Sequence, residues 1–468
     1  MSLVEDIRAA ADALRSCEEV SIISHIDADG ITSEAILAQA LSREGIRVST
    51  TFVRQLDPLT LDQIPDTSSV KIFSDLGSGQ QQMLIEKGLD PSRTIIIDHH
   101  VSQPAEHGDP FIEVNCLNHG HEKMSAAGIS YLLARELDAL NTDLAKLAII
   151  GNIGDMMDRE HLCLTGPARD ILNDGIRYGA VELWERDLNI YGISTRPLPQ
   201  SLAYSDDLDI PGVSRDPDGA GAFLERIGIT PVQPNKWPVW EDLSFDQKQQ
   251  VCCSVIEQMV AHGKDTSRLF ADHYIFPDED RHQASLRNAS EFATMLNSCG
   301  RWQRPELGGA ICRGDRVAAY REAEHMLRNH RSKIREVMMY ITDTGVSELS
   351  HMLYIHVGGR FPDTIVGIGA GMALSRLNPE KPILIMCEDS LDPSMTKISM
   401  RTRPEVVSKG IDLQQALTLA CEGREGCSGG GHRIAAGAFI PKDQERAFIE
   451  DVNRILAQQY AQSCQDHR

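Results

Sequence analysis

The sequence lacks any apolar run of the roughly 18 to 20 residues that a membrane span needs, so we expect neither a membrane-spanning segment nor a membrane partner. Its opening stretch, MSLVEDIRAAADALRSCEEV, lacks the basic and then apolar pattern of a secretory signal and predicts an amphipathic helix. None of the eleven cysteines belongs to a CxxC pair, and the adjacent Cys252 and Cys253 suit neither a disulfide nor a zinc site. This usage is typical of reduced thiols in a cytoplasmic protein.

Basic residues are too few to balance the acids. The chain has 46 lysines and arginines against 68 aspartates and glutamates, which gives a formal net charge of -22. Because phosphate backbones repel an acidic surface, this charge argues against a general nucleic-acid coat protein. It leaves room for an enzyme that holds phosphate through metal ions and a local arginine cluster. A saline cytoplasm or a basic partner would also account for the acidity, and the sequence does not choose among these.

The chain of 468 residues is long enough for about two to four domains. Residues 1 to about 190 alternate β-rich apolar runs with helix-like stretches, which predicts a parallel α/β sheet covered on both faces. The predicted strands are VSIIS at 20–24, VKIFSD at 70–75 and TIIID at 94–98. Residues 194–221, rich in Pro, Asp, Ser and Gly, predict a connecting loop, and the α/β pattern returns from about 340.

Acids and histidines cluster where the predicted strands stop. His25, Asp27 and Asp29 follow the first strand, Asp75 closes the second, and the triplet Asp98-His99-His100 closes the third. Asp155 ends a predicted helix in GNIGD. Because ligands bind outside the carboxyl ends of strands in an open α/β sheet, we expect these side chains to face one crevice.

Carboxylates crowded in this way repel one another unless cations lie between them. A set of Asp and His without Cys suits Mn²⁺ or Mg²⁺ better than structural zinc, and one bridging carboxylate would allow two ions. Any single Asp could instead be a helix cap or a turn residue, and His99 alone could be a core imidazole. Four such motifs in one half of the chain favour a metal site of the kind used in phosphoryl chemistry.

Together these motifs resemble the DHH phosphoesterase superfamily. SHIDADG, SDLG, DHH and GNIGD match its four motifs, and GCSGGGHRIAAGAFI at 426–440 resembles the glycine-rich motif of the associated DHHA1 domain. SLRNASEFATMLNSCGR at 285–301 is similar to the connecting motif of RecJ-like proteins. The chain is similar to archaeal RecJ-like exonucleases, including the group that binds the GINS complex of the replication machinery.

The resemblance implies a role for each matched residue. One ion would be held by His25, Asp27 and Asp75, and the other by Asp29, Asp75, His99 and Asp155, with Asp75 as the bridge. Asp98 would orient a ligand and His100 would face the scissile phosphate. The phosphate-binding residues would be Ser399, Arg401, Gly429, Gly430, Gly431, His432, Arg287, Asn297 and Arg301. Independently of the resemblance, glycines let a backbone approach an anion closely, and Arg401 is a natural bidentate phosphate ligand.

The resemblance also implies the fold: an α/β protein with an N-terminal parallel-sheet DHH domain at 1–194 and a middle helical or mixed insertion at 195–284 that is open to partners. A connecting motif and linker helix at 285–335 would lead to a C-terminal α/β DHHA1 domain at 336–468, with a cleft between the DHH and DHHA1 domains.

The implied function is a two-metal exonuclease that hydrolyses single-stranded DNA, RNA or both, with Mn²⁺ preferred or Mg²⁺, linked to DNA replication or repair. Few aromatic residues, 5% of the chain, favour binding through the nucleic-acid backbone. DNA against RNA and the direction of cleavage stay open. Two alternatives also stay open: a replisome scaffold bound to GINS, and a phosphodiesterase acting on small molecules or short oligonucleotides.

Overall fold

The computed structural model describes residues 2–64, 69–106, 110–205, 207–233, 236–390 and 392–466. The chain divides into two compact units, residues 1–324 and 325–468. The first contains the parallel sheet and the middle region, and the second contains the C-terminal sheet. Each unit is described by itself.

The first unit is built on a five-stranded, wholly parallel sheet in the order β2-β1-β3-β4-β5. Its strands are β1 (Glu19–His25), β2 (Arg47–Val53), β3 (Val70–Ser74), β4 (Thr94–Ile97) and β5 (Ile112–Val114). The helices of this part are α1 (Leu3–Arg15), α2 (Ala28–Arg43), α3 (Pro58–Asp62), α4 (Gln81–Glu86), α5 (Ala126–Leu137), α6 (Ala145–Gly154) and α7 (Gly166–Arg177). The predicted parallel α/β class is confirmed.

The central strands form because their apolar runs are covered on both faces. Val20, Ile22 and Ile23 of β1 are at most 1% exposed, and all four residues of β4 are buried. Such continuous burial is expected for parallel strands between helix layers. Strand β2 pairs with one side of β1, and β3 pairs with the other side. The direction in which strands are added to the sheet therefore reverses between β1 and β3, which is where α/β sheets open a crevice.

The middle region carries a two-stranded antiparallel ribbon and several helices around a core of its own. Its elements are β6 (Glu182–Leu188), α8 (Leu198–Ala203), α9 (Pro217–Arg226), α10 (Phe245–Ala261) and β7 (Phe270–Ile275). The prediction of a loop over 194–221 is wrong in part, because α8 lies within that stretch and α9 begins in it. Prolines stand in the first turn of both helices, where a missing N–H costs nothing, so they start these helices rather than prevent them.

Three helices lead out of the middle region: α11 (Ala289–Arg301), α12 (Pro305–Cys312) and the 27-residue α13 (Ala318–Thr344). The second unit has a six-stranded sheet in the order β12-β13-β11-β10-β9-β8. Its elements are β8 (Ser347–Glu348), β9 (Leu353–His356), α14 (Asp363–Ala373), β10 (Ile383–Glu388), β11 (Met395–Arg401), α15 (Pro404–Val407), α16 (Leu413–Cys421), β12 (Ser428–Gly431), β13 (Ala435–Pro441) and α17 (Glu445–Asp466).

Only β9 and β10 are parallel in this mixed sheet. One face packs on residues of α13 and α14, and the other on residues of α16 and α17. The glycine-rich motif, predicted to approach an anion through its backbone, forms the edge strand β12, which pairs antiparallel with β13.

No helix in the described parts of the chain is both long and apolar enough to cross a bilayer. Every cysteine whose side chain the structure describes is free.

Candidate metal centre

The carboxyl edge of the parallel sheet collects the acids and histidines that the sequence singled out. His25 is the last residue of β1, Asp75 follows β3, and Asp98 begins the triplet after β4. The other three acids belong to helices. Asp27 is the N-cap of α2, Asp29 lies in its first turn, and Asp155 is the C-cap of α6.

Asp75 lies between two groups of ligand atoms, with one carboxylate oxygen towards each. Its Oδ2 is 3.3 Å from Nδ1 of His25, which is also 3.0 Å from Oδ2 of Asp27. Its Oδ1 is 3.2 Å from Nε2 of His99. The second group is completed by Asp29 and Asp155, whose Oδ2 atoms are 3.8 Å and 3.5 Å from the same nitrogen.

The ligand atoms of His25, Asp27 and Asp75 lie within 4.8 Å of one another, as do those of Asp29, His99 and Asp155. The resemblance to the DHH superfamily implied the same two sets, with Asp75 shared between them. Asp75 has φ 60°, in the left-handed region that Asp adopts more readily than most residues.

Asp29 is fixed by the start of α5. Its Oδ2 accepts a hydrogen bond from the N–H of Ala126 at 2.8 Å, and its Oδ1 accepts one from the N–H of Ala127 at 2.9 Å. These N–H groups belong to the first turn of α5, where a negative charge is favoured. The carboxylate is only 1% exposed, so α5 both orients Asp29 and partly compensates its burial.

His100 is held by Asp98, and the ligand atoms of Asp75, Asp98, His99 and His100 also lie within 4.8 Å of one another. Oδ1 of Asp98 is 2.7 Å from Nδ1 of His100 and accepts the backbone N–H of His99 at 2.7 Å. Its Oδ2 accepts the N–H of Ser78 at 2.9 Å. Burial raises the pKa of Asp98, but the hydrogen bond and charge of His100 outweigh it and lower the pKa to about 2. The side chain of His100 is 54% exposed, so its Nε2 is the nitrogen that a substrate can reach.

Crowding shifts the other pKa values at this edge. Burial raises the pKa of Asp29 well above its usual range, and the charge of Asp75 adds to the rise. Burial also raises the pKa of Asp155. For His99, burial lowers the pKa, but the hydrogen bond and charge of Asp75 outweigh it and raise the pKa to about 9. With a pKa of about 9, His99 keeps a proton at neutral pH, and a cation that binds there would displace it.

Three glycines allow the helices to come this close. A Cβ on Gly30 would lie 2.3 Å from the carbonyl oxygen of His25, and one on Gly154 would lie 2.7 Å from a side-chain atom of α2. A Cβ on Gly151 would lie 2.8 Å from Oδ1 of Asp29. The glycines of GNIGD are therefore packing residues, which bring α6 and its terminal Asp155 against α2.

The donor atoms fit divalent cations. They are carboxylate oxygens and imidazole nitrogens without a thiolate, the set that suits Mn²⁺ or Mg²⁺. Within the described chain, Oδ2 of Asp155 is buried without a hydrogen-bond partner, as is Nδ1 of His99. That Oδ2 faces the second group of ligand atoms, as expected for a carboxylate whose natural partner is an ion.

Helix α11, which carries the connecting motif, forms one wall of the site. Oδ1 of Asn297 accepts the N–H of Ala28 at 2.9 Å, at the start of α2. Burial lowers the pKa of Arg301, and the charge of nearby Asp27 opposes this. The guanidinium of Arg287 already has partners, because it pairs with Glu241, at 2.5 Å, and donates to a backbone carbonyl.

The remaining predicted phosphate ligands lie in the second unit. Ser399 and Arg401 stand two apart on β11, and both side chains reach Gly367 of α14, where an added Cβ would be 3.1 Å from Oγ of Ser399. Nη1 of Arg401 donates to the carbonyl of Met400 at 2.8 Å. Gly429, Gly430 and Gly431 form the edge strand β12, and the exposed His432 begins the turn that follows it.

Sequence analysis missed Lys123. Its Nζ is 3.8 Å from Oδ2 of Asp155, and its side chain is 46% exposed. The available signal was its position in HEKMSAAG, immediately before the start of α5.

Comparisons with known proteins agree with this architecture. Three family models match in order: the DHH family N-terminal domain at 19–152, the DHH-CID domain at 190–270 and the DHHA1 domain at 351–458. An uncharacterized protein of Methanocaldococcus jannaschii is 27% identical over 452 residues, which cover 94% of each chain.

Two solved structures share the fold. A crystal structure of exonuclease RecJ bound to manganese is 17% identical, with a TM-score of 0.56, over 98% of this chain and 94% of that one. The structure of CDC45 from Entamoeba histolytica is 12% identical, with a TM-score of 0.67, over 98% and 99%. Three family models matched in order along one chain show that the protein is built from the DHH, DHH-CID and DHHA1 domains of the DHH/DHHA1 superfamily, and its fold is shared with the RecJ structure.

Proposed function

We propose that the protein is a two-cation phosphodiesterase that removes nucleotides from an end of single-stranded nucleic acid. The observation that carries the proposal is the carboxylate of Asp75, whose two oxygens face His25 on one side and His99 on the other. A carboxylate shared in this way is what a pair of ions a few ångströms apart requires. Mn²⁺ is the expected cation, with Mg²⁺ as its substitute.

In this proposal Asp75 would help to hold both cations, with His25 and Asp27 as further ligands of one and Asp29, His99 and Asp155 as further ligands of the other. When bound, the ions would lower the pKa of a water molecule and neutralise charge on the attacked phosphate. The N–H groups at the start of α5 keep Asp29 in position. Asp29 and His99 of the second group are almost fully buried, which keeps bulk water from competing for them.

His100 would contact the scissile phosphate through Nε2. Oδ1 of Asp98, at 2.7 Å from Nδ1, would fix the orientation of the imidazole and leave Nε2 for the phosphate. Asp98 acts through this orientation and does not touch the substrate itself.

The second unit would hold a further phosphate of the strand. We assign this to Ser399, Arg401, His432 and the backbone of the glycine strand β12, since an edge strand leaves part of its N–H groups unpaired. Arg301 and Asn297 would help from α11. Arg287 keeps the same assignment, although Glu241 already occupies its guanidinium, which makes it the weakest member of the set.

The experiment is a time course on end-labelled single-stranded DNA and RNA with Mn²⁺ or Mg²⁺. We expect a ladder shortened from one end, which would also give the preferred sugar and direction. Asp75→Asn should lose activity by at least two orders of magnitude, because both cation positions lose a charged ligand. Cleavage by the wild type without added metal after chelation, or full activity of Asp75→Asn, would contradict the proposal.

A second candidate is a scaffold in a replication complex, favoured by the fold shared with CDC45. In that role the middle segment, which we place at 195–284, would contact GINS. A pull-down with a GINS complex tests it, together with the absence of any cleavage in the time course. Cleavage confined to dinucleotides would instead favour a phosphodiesterase for small substrates.

A further inference from the structure

Lys123 places a positive charge beside the candidate metal centre, and the proposed hydrolysis does not yet use this charge. Its Nζ is 3.8 Å from Oδ2 of Asp155, a distance too long for a hydrogen bond. Its side chain is 46% exposed and that of Asp155 is 30% exposed. The ammonium group therefore lies at the solvent-facing mouth of the second group of ligand atoms.

The backbone around Lys123 is fastened to the same site. Met124 is fully buried, and Ser125 caps α5 by accepting the N–H of Gly128 at 3.2 Å. The N–H of Ser125 itself donates to Asn152 of α6 at 3.2 Å. On the other side of Lys123, Glu122 accepts the hydroxyl of Thr165 at 2.7 Å. A lysine between two anchored residues keeps its Cα fixed, while its side chain can still reach several positions.

Electrostatics decides what this lysine can bind. Without cations, Asp155 is its natural partner. Once Asp155 ligates an ion, the ammonium group faces a positively charged centre and gains nothing from that carboxylate. An anion that binds at this solvent-facing position would be attracted by both the ammonium group and the cation. Nucleic-acid phosphate is such an anion, and three rotatable N–H donors suit its oxygens.

We propose that Lys123 binds a non-bridging phosphate oxygen of the nucleic acid next to the metal centre, and so is a substrate-binding residue of this active site. The inference rests on the proposed function. Lys123 would then supply a positive charge beside Asp155, as Arg301 does near Asp27 on the other side of the site.

The test compares the salt dependence of binding for the wild type and Lys123→Met. The ligand is a single-stranded oligonucleotide with phosphorothioate linkages, which resists hydrolysis, at saturating Mn²⁺. Losing one phosphate contact should reduce the slope of log affinity against log salt by about 0.7. Between 50 and 500 mM salt the wild type should therefore lose about fivefold more affinity than the variant. Lys123→Arg should restore the wild-type slope.

Lys87→Met is the matched control. Lys87 also pairs with a carboxylate, that of Asp62, at 2.6 Å. It is the C-cap of α4, and the carboxylate it pairs with is not one of the candidate ligands. We expect its salt slope to equal that of the wild type.

The affinity for Mn²⁺, measured by calorimetry without nucleic acid, separates a phosphate contact from a purely local role. If Lys123 only neutralises Asp155, Lys123→Met will bind Mn²⁺ more tightly and keep the wild-type salt slope, which would overturn the inference. A wild type that binds the oligonucleotide, together with an unchanged slope in the variant, overturns this inference alone. A wild type that binds no oligonucleotide overturns the proposed function and the inference with it.

Discussion

Asp75 is the residue on which both candidate cation positions depend, and its backbone shows how it comes to serve them. With φ at 60°, the chain turns sharply after β3 and directs the carboxylate between His25 and His99. Most residues pay a cost in this region, but Asp and Asn tolerate it. Asn is therefore the substitution that removes the charge with least disturbance of the turn.

His99 predicts how cation binding depends on pH. In the metal-free protein its pKa is raised to about 9, so the imidazole is protonated at neutral pH and a cation must displace that proton. We expect Mn²⁺ affinity to increase with pH up to about 9, by at most about tenfold per pH unit for this one proton. Proton release can be measured by calorimetry in buffers of different ionisation enthalpy. An affinity independent of pH between 6 and 8 would contradict it.

At the scale of elements, close helix packing brings the ligands together. Helix α6 approaches α2 through Gly151 and Gly154, and α5 approaches it through the N–H groups that hold Asp29. The site thus forms where the three helices α2, α5 and α6 pack together at the edge of the sheet. The helices come this close because glycines, which have no side chain, stand at their contacts.

Gly151→Ala tests this packing. In a helix interior, Ala normally stabilises relative to Gly by up to about 1 kcal/mol. Here the new Cβ would lie 2.4 Å from the Cβ of Ala127 and 2.8 Å from Oδ1 of Asp29. We therefore expect a loss of about 1–3 kcal/mol in unfolding free energy and weaker Mn²⁺ binding, by calorimetry.

Gly371→Ala is the control for that substitution. Gly371 lies in helix α14, and its added Cβ would meet nothing within 4 Å. It should leave stability unchanged or slightly increased and Mn²⁺ binding unaffected. A stabilised Gly151→Ala would show that α2 and α6 can separate without cost.

Strands with continuous apolar runs were predictable from the sequence, because burial on both faces demands such runs. β2 was not, because this edge strand is mostly half-exposed and carries Ser and Thr. β12 was not, because glycine has no strand preference and pairing with β13 alone orders it. The grouping around Asp75 was implied by the resemblance to the DHH superfamily, whereas the place of Lys123 beside Asp155 depends on how α5 packs.

At the scale of the whole molecule, the candidate chemistry is divided between two units. The candidate metal ligands lie in the first, and Ser399, Arg401, the glycine strand and His432 lie in the second. Such a division predicts that cation binding and part of substrate binding can be lost separately.

His432→Ala should weaken binding of the phosphorothioate strand severalfold and leave Mn²⁺ affinity unchanged, since its side chain belongs to the other unit. Fluorescence anisotropy and calorimetry measure the two quantities. His356→Ala, also a partly exposed histidine of that unit, is the control and should change neither. A parallel loss of Mn²⁺ affinity in His432→Ala would argue against separate tasks.

The wall that α11 gives to the site has a consequence for synthesis on the ribosome. All the ligands have been made once residue 155 has emerged, yet the acceptor for the N–H of Ala28 and the close contact of Gly300 with Ile26 arrive only with residues 297 to 300. A nascent chain that has not reached this point contains every candidate ligand, but the pocket around them lacks the wall formed by α11. Ion capture during translation would therefore have to wait until nearly two-thirds of the polypeptide has been made.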